Sequence, residues 1–250
     1  MQTSIHYIAR TPNLETEKAF VTDFPVDHVE GAVRQNTVPD HRQVFVAAVD
    51  DPAKYKLDVH GFCFIRGYQT HLDPEKACKD KASVEEAYWY EIEAILHERF
   101  PQYSRVECFD MTVRKRDPDF PEVVRVYRDE HEQPSPEGKR FDMLNVWRPL
   151  RQPTDDWPLA VCDYTTVDTE NDILLEDAIR RDRVEEISSL HYNKDHKWYY
   201  MKDQGVDDLL VFRNADSHGE KARAFHTAVL NPLSQGPPRE SVEVRLVAIY

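Results

Sequence analysis

The sequence predicts a mainly β protein, a jelly roll with helical flanks, and three observations lead there. A single strongly periodic helix candidate lies in the first half, over 83–100. From residue 105 onward, short apolar runs of strand length follow one another. Acidic or proline-rich connections separate these runs. With 250 residues, 40% of them hydrophobic and 11% aromatic, the chain has material for one sizeable core, so a single domain over 1–250 with an N-terminal α/β extension is expected.

Ile5-His6-Tyr7-Ile8 and Val44 to Val49 are strand candidates joined by polar, Pro-containing connections, and read as an outer arm of a sheet. Leu57, Val59, Phe62 and Phe64 alternate around Gly61, which predicts a strand with a kink at the glycine. Asp73-Pro74 has the form of a helix N-cap followed by proline at the first helical position. Ser83 and Glu86 form a capping-box pattern, and Val84, Tyr88, Ile92, Ile95, Leu96 and Phe100 recur at helical spacing down to Pro101. The aromatic run Tyr88-Trp89-Tyr90 belongs to this helix and reads as core. Strands are then expected at 105–114, 123–127, 143–147, 159–162, 198–201, 209–212 and 242–249, interrupted by a charged 176–186 segment that reads as a helix.

Net charge is -14 with no basic run, so polyanion binding is opposed by repulsion and a nucleic acid partner is not expected. Cys63, Cys78, Cys108 and Cys162 are 15 to 54 residues apart, without the paired spacing of a zinc site or the density of a disulfide framework, and read as reduced core thiols. The N-terminus lacks a signal-peptide pattern and no apolar run is long enough to span a bilayer. A cytoplasmic protein without a membrane partner is therefore expected.

The chemistry concentrates in the last quarter. His226 is followed 13 and 15 residues later by Arg239 and Ser241, at the start of the alternating run that ends the chain. A neutral imidazole can serve as a metal ligand and a guanidinium with a hydroxyl two residues on can clamp a carboxylate, so the pattern looks like the closing half of an iron and 2-oxoglutarate site.

Ordered blocks from residue 57 to the end carry a resemblance. They include Leu57-Asp58-Val59-His60-Gly61-Phe62, Val106 to Arg114, Asn145-Val146-Trp147-Arg148-Pro149-Leu150, Trp157 to Asp163, Trp198-Tyr199-Tyr200, Leu209 to Phe212, His226-Thr227-Ala228 and Arg239 to Tyr250. Together they resemble the fungal hydroxylase/desaturase (AsaB-like) family. The resemblance implies a double-stranded β-helix (cupin-like) core and, in active members, Fe(II)- and 2-oxoglutarate-dependent oxidation of specialised metabolites. It also implies a metal held by two histidines and a carboxylate, with a His-x-Asp pair shortly before the Asn145 block. Here that strand offers Tyr127 and Asp129, so the first histidine is replaced by tyrosine and the implied metal ligands are Asp129 and His226. Met111 stands where the family carries a histidine, and the connection from Asp129 to Asn145 is short for the family. Both departures are expected near the mouth of the site.

Losing an imidazole ligand should cost at least the ~10–100-fold in affinity typical of losing a supporting partner. A phenolate from Tyr127 would have to overcome an ordinary pKa of about 10. Among possible substitutes, His71 precedes the aspartate already explained as a helix cap, and His28 and His218 lie in polar segments. His131 lies two residues beyond Asp129, where a loop placement is expected. Arg245 is a second choice for the carboxylate clamp. His60, His191 and His196 read as packing or hydrogen-bonding residues, and Trp147 and Arg148 as braces of the barrel.

Three readings of function follow. The chain is a catalytically impaired partner subunit that pairs with a complete paralogue, with no cofactor of its own required. Alternatively it is an active hydroxylase or desaturase using Fe(II) and 2-oxoglutarate with an altered ligand set, on a small-molecule substrate. A third reading is a metal-free isomerase, lyase or binding protein in which Tyr127 beside Asp129 acts as a general acid. A homo- or heterodimer is expected.

Overall fold

The computed structural model describes residues 1–116, 138–151, 153 and 155–250 in full, and the backbone of 124–128. Its elements in chain order are β1 (Gln2–Ile8), β2 (Ala19–Thr22), β3 (Pro39–Ala48), α1 (Leu57–His60), β4 (Phe62–Ile65), α2 (Pro74–Lys79), α3 (Ala82–Arg99), β5 (Arg105–Arg116), β6 (Val124–Arg128) and β7 (Phe141–Pro149). They continue with β8 (Leu159–Cys162), β9 (Ile173–Ile179), β10 (Val184–Leu190), β11 (Trp198–Tyr200), β12 (Leu209–Asp216), β13 (His226–Ala228) and β14 (Glu240–Ile249). The mainly β expectation with a jelly-roll core holds. A six-stranded sheet in the order β4-β12-β7-β14-β5-β6 faces a five-stranded sheet in the order β1-β3-β11-β8-β13, and a small β10-β9-β2 sheet stands beside them.

The alternation of β14 explains the layering. Val242, Val244, Leu246 and Ala248 pack with Met111, Val113, Leu144 and Val146 against Tyr88, Ile92, Ile95 and Leu96 of α3. The intervening Ser241, Glu243 and Arg245 therefore face the other way, between the sheets. There Phe62, Phe64, Trp147, Leu210 and Phe212 of the large sheet meet Leu159 and Val161 of the smaller one. The outer face of the five-stranded sheet is covered by a third cluster that includes Ile5, Tyr7, Cys162, Leu190 and Trp198.

Four local expectations are corrected. Residues 57–60 form a helical turn rather than a strand, ended by Gly61 in the left-handed region at φ 82°, and the strand starts only at Phe62. The charged 176–186 segment is the β9/β10 hairpin, with Arg180 and Arg183 both reaching Glu185 (3.4 and 2.8 Å). Pairing of β9 with β2 overrides a composition that looks helical by itself. Ser83 is not a cap: α3 begins after Lys81, and the Ser83 hydroxyl donates to the Asp80 carbonyl (2.8 Å). Of the three consecutive aromatics Tyr88 is core and Trp89 packs partly buried against that core, but Tyr90 is exposed, because adjacent helical residues point about 100° apart. Asp73 does cap α2, accepting from the backbone N–H groups of Glu75 and Lys76. The four cysteines are free, and burial pushes the Cys63 thiol up to about 12.

Gly61 also sets the path of the chain near the site. A Cβ there would lie 2.4 Å from the backbone carbon and oxygen of Arg223, and Arg213 N–H donates to the Gly61 carbonyl (2.9 Å). Gly61→Ala is expected to cost about 2–3 kcal/mol from the positive φ and the overlap together, read as a lower midpoint in urea unfolding. A midpoint equal to that of the parent would show that the 223–224 segment is not packed on this turn.

Candidate active site

Arg239 and Ser241 open β14 at one end of the space between the sheets. Both are buried, Ser241 completely. The arginine is held by its surroundings: its backbone N–H donates to Asp156 Oδ2 (2.7 Å), and its Nη1 donates to the Trp157 carbonyl. Trp157 presents that carbonyl from a left-handed backbone, φ 45°, a rare conformation for an aromatic residue. Asp156 is fixed in turn by Arg116 Nε (2.6 Å). Two polar atoms remain over: Arg239 Nε and Ser241 Oγ are buried and have no hydrogen-bond partner among the described residues. Burial pulls the Arg239 guanidinium down to about 10, with the neighbouring positive charge of Arg114 acting in the same direction, so it is still a cation at neutral pH.

A buried cation with an unfilled donor, beside an unfilled hydroxyl, suits a carboxylate. The second candidate clamp is already committed: Arg245 forks onto Asp110 through Nε (2.7 Å) and Nη2 (2.5 Å). Between the two arginines, Glu243 accepts from Arg114 Nη1 (3.0 Å) and Asn145 Nδ2 (2.9 Å), and Asn214 donates to Asn145 (2.5 Å). Arg114, Trp157 and Glu243 lie in blocks that carry the resemblance, but no sequence pattern assigns them or Asp156 a supporting role. That role becomes visible only through the β5 and β14 register and the contacts of the connection from β7 to β8.

His226 pairs with Val161 across β13 and β8, which places it on the face turned toward the large sheet, where its ring lies 4.4 Å from that of Phe212. It is exposed rather than a buried core histidine, and its Nδ1 lies 3.1 Å from the Ala224 carbonyl. With Nδ1 carrying the proton, Nε2 keeps a lone pair, as a metal ligand requires. Asp129 and His131 lie outside the described residues. Tyr127 occupies the β6 position opposite Val113 of β5, and its side chain is likewise outside the described part. Among the described residues no three His, Cys, Asp or Glu side chains gather as a metal-binding group.

Met111 is not at the mouth of the site, as expected from sequence. It is fully buried on the α3 side of the large sheet, paired with Val244, because its parity on β5 points it away from the space between the sheets. Arg148 also faces α3, where it reaches Glu91 (3.3 Å) and lies over the Tyr88 ring (5.5 Å), while Trp147 packs between the sheets.

The three histidines read from sequence as packing or hydrogen-bonding residues have structural partners. His60 Nδ1 accepts from Lys56 N–H (3.0 Å), and His191 Nδ1 meets the Ile8 carbonyl (2.8 Å). His196 Nε2 lies 3.1 Å from Asp172 Oδ2, beneath the ring of Tyr7. Burial lowers the His196 pKa, outweighing the opposing pull of Asp172. Since the folded value lies below the ordinary value of about 6.5, the contribution of the neutral ring is complete above that pH and is lost as pH falls below it. Chemical denaturation from pH 7 to 5 should therefore reduce the stability of the parent more than that of a His196→Gln variant. Parallel curves would contradict the assignment.

A model described as an oxidoreductase/YMDC permease-like domain matches residues 5–138 and 120–249. The Fe(II)/2-oxoglutarate-dependent dioxygenase nvfI of Aspergillus novofumigatus is 28% identical over 232 residues, 82% of each chain. The chain belongs to this oxidoreductase family, among the fungal Fe(II)/2-oxoglutarate oxygenases. Other similar members include the aspirochlorine biosynthesis protein N of Aspergillus oryzae, 36% identical over 118 residues, and the hydroxylase/desaturase efuI of Hormonema carpetanum, 30% identical over 123 residues. Those matches span 44% of this chain and 49% and 41% of the two relatives, less than half of each. The fold agrees with solved oxygenases of the family. The iron and alpha-ketoglutarate-dependent endoperoxidase NvfI, in a structure of different conformation, superposes with a TM-score of 0.79 at 25% identity over 100% of this chain and 97% of its own. A second NvfI structure superposes at 0.78 and 23% identity. No described helix is long and apolar enough to cross a membrane.

Proposed function

We propose that this chain works in specialised-metabolite biosynthesis as an oxygenase-family subunit that keeps the 2-oxoglutarate anchor but has an impaired metal site, and that it pairs with a complete paralogue. The observation that carries the anchor is the pair of unfilled buried groups, Arg239 Nε and Ser241 Oγ. They would hold the far carboxylate of 2-oxoglutarate while Asp156 and the Trp157 carbonyl keep the guanidinium from turning away. His226 and Asp129 would be the remaining ligands of Fe(II). When bound, iron and 2-oxoglutarate would supply, with dioxygen as the oxidant, oxidative decarboxylation of the keto acid coupled to oxidation of an organic substrate. Tyr127 in place of the first histidine is the departure that weakens metal retention. Its phenol is protonated at neutral pH unless a cation draws the proton off.

The alternative of an active hydroxylase or desaturase is favoured by one feature: His226 is exposed beside a groove instead of being absorbed into the core. A single set of measurements separates the two readings. The isolated chain should bind 2-oxoglutarate by calorimetry, take up Fe(II) weakly, and consume no keto acid alone. It should also co-purify with a His-x-Asp paralogue and raise that paralogue's turnover. Iron-dependent 2-oxoglutarate consumption by the isolated chain, abolished in Asp129→Ala, would establish the active reading instead. Failure to bind 2-oxoglutarate at all would overturn both.

A further inference from the structure

We infer that the groove beside His226 binds an apolar small molecule carrying an anionic oxygen group, and that Arg223 is the residue that selects the anion. The groove has a volume of about 600 Å³ and runs from β1 and β10 to Asn214 and the 223–227 segment. That lies within the range of about 300–1,000 Å³ typical of sites for drug-sized ligands. Its apolar surface includes Met143, Phe225 and Ile8, and two exposed aliphatic side chains, Leu175 and Ile187, also line it.

Among the described residues that line it, only Glu186 and Arg223 carry full charge at neutral pH. Glu186 is ion-paired with Lys18 (2.8 Å), which it shares with Asp177 (2.6 Å), and it points to solvent at the exposed edge of the groove. Arg223 has no carboxylate or carbonyl partner among the described residues: its guanidinium stands 5.9 Å from the Phe225 ring centroid, and its Nε is buried without a hydrogen bond. The other titratable side chains of the groove are engaged less strongly. His6 packs on His41 (3.9 Å), and His226 uses Nδ1 toward the Ala224 carbonyl. A guanidinium whose Nε is buried without a partner, standing near an aromatic ring, favours an anion.

The backbone on either side of Arg223 is fixed in advance. Ala224 N–H donates to the Arg213 carbonyl (2.9 Å), Arg213 Nη1 donates to the Ala222 carbonyl (2.8 Å), and Lys221 is tied to Asp142 (3.1 Å). Little ordering is then needed when a ligand arrives. An anion at Arg223 leaves the apolar body lying toward His226, which also lines the groove. The assignment rests on the proposed reading only in taking His226 to mark the reacting end; binding itself needs no metal.

Two fluorescent probes with the same apolar body test it on the full chain without iron: 1-anilinonaphthalene-8-sulfonate, an anion, and N-phenyl-1-naphthylamine, its neutral counterpart. The sulfonate should bind saturably at one site. Arg223→Gln should weaken it at least tenfold and leave the neutral probe within about twofold. Ile187→Glu, at an exposed position lining the groove, should weaken both. Equal affinity of parent and Arg223→Gln for the sulfonate, an equal loss for both probes, or no response to Ile187→Glu would overturn the proposal. A parallel 2-oxoglutarate titration, which Arg223→Gln should not change, separates this failure from failure of the proposed function.

Discussion

Asp142→Ala is expected to destabilise the protein by about 3–5 kcal/mol, the range for removing one partner of a buried ion pair. For a chain of this size that is a fall in Tm on the order of 10 °C. Asp142 has no solvent exposure and accepts from four donor atoms in five contacts: Tyr103 Oη (2.5 Å), Arg213 Nη2 (2.9 Å), Tyr250 Oη (2.9 Å) and Lys221 Nζ at both carboxylate oxygens (3.1 and 3.2 Å). The Arg213 side chain is likewise fully buried, and its other carboxylate partner, Asp58, is largely in solvent. Alanine at 142 would leave that guanidinium without its buried counter-charge. Burial together with the Asp142 carboxylate raises the Tyr103 pKa, so the phenol stays protonated and donating. Asp142→Asn keeps an acceptor and should cost less. Replacing the pair by Asp142→Leu with Arg213→Met should recover part of the loss, since it removes the stranded charge as well. A thermal shift below about 2 °C for Asp142→Ala would show that the network does not anchor the fold. Because the same network holds residues 221–224, its loss should also loosen the groove at Arg223.

Arg239→Lys is expected to weaken 2-oxoglutarate binding about 10–100-fold, while Ser241→Ala should weaken it less, about 3–10-fold. Hydrogen bonds to charged groups are worth roughly 1.5–3 kcal/mol and neutral ones roughly 0.5–1.5. Lysine keeps the charge but loses the planar fork that can grip Trp157 O and a carboxylate at once. The apo protein supplies the control. Ser241 Oγ has no hydrogen bond among the described residues, so Ser241→Ala should leave apo stability within about 0.5 kcal/mol, or raise it. A hydroxyl retained for structure would show the opposite pattern, with lost stability and unchanged binding. Calorimetric titration alongside urea unfolding reads both quantities. Unchanged binding in Arg239→Lys would mean that the keto acid is not held there.

Much of the framework was legible before any coordinates. Leu159 to Cys162 is a strand at the same bounds, and Val242 to Ile249 forms most of β14, because continuous apolar or alternating runs bounded by turn residues leave little choice of structure. The Asp73-Pro74 cap was equally plain, being local chemistry. The 176–186 segment was not. Its charges fit a solvated helix as well as a hairpin, and only pairing with β2, more than 150 residues away in sequence, decides between them. Gly61 was read as a kink in a strand because nothing local distinguishes a bulge from the left-handed residue that ends a helical turn.

For the site, the sequence by itself determined which groups are available: an imidazole at position 226, an arginine and a serine at the start of the last strand, and a tyrosine where the resemblance implies a histidine. Only the tertiary structure decided what those groups are free to do. Arg239 and Arg245 look alike in sequence, but Arg245 is spent on Asp110 and Arg239 keeps an unfilled buried donor. Met111 looked like a change at the site and proved to be core, because strand parity sends adjacent residues to opposite faces of a sheet. The physical reason is the same in each case: residue type sets the chemistry a side chain can perform, whereas its partner, its burial and the face it occupies are set by residues distant in sequence.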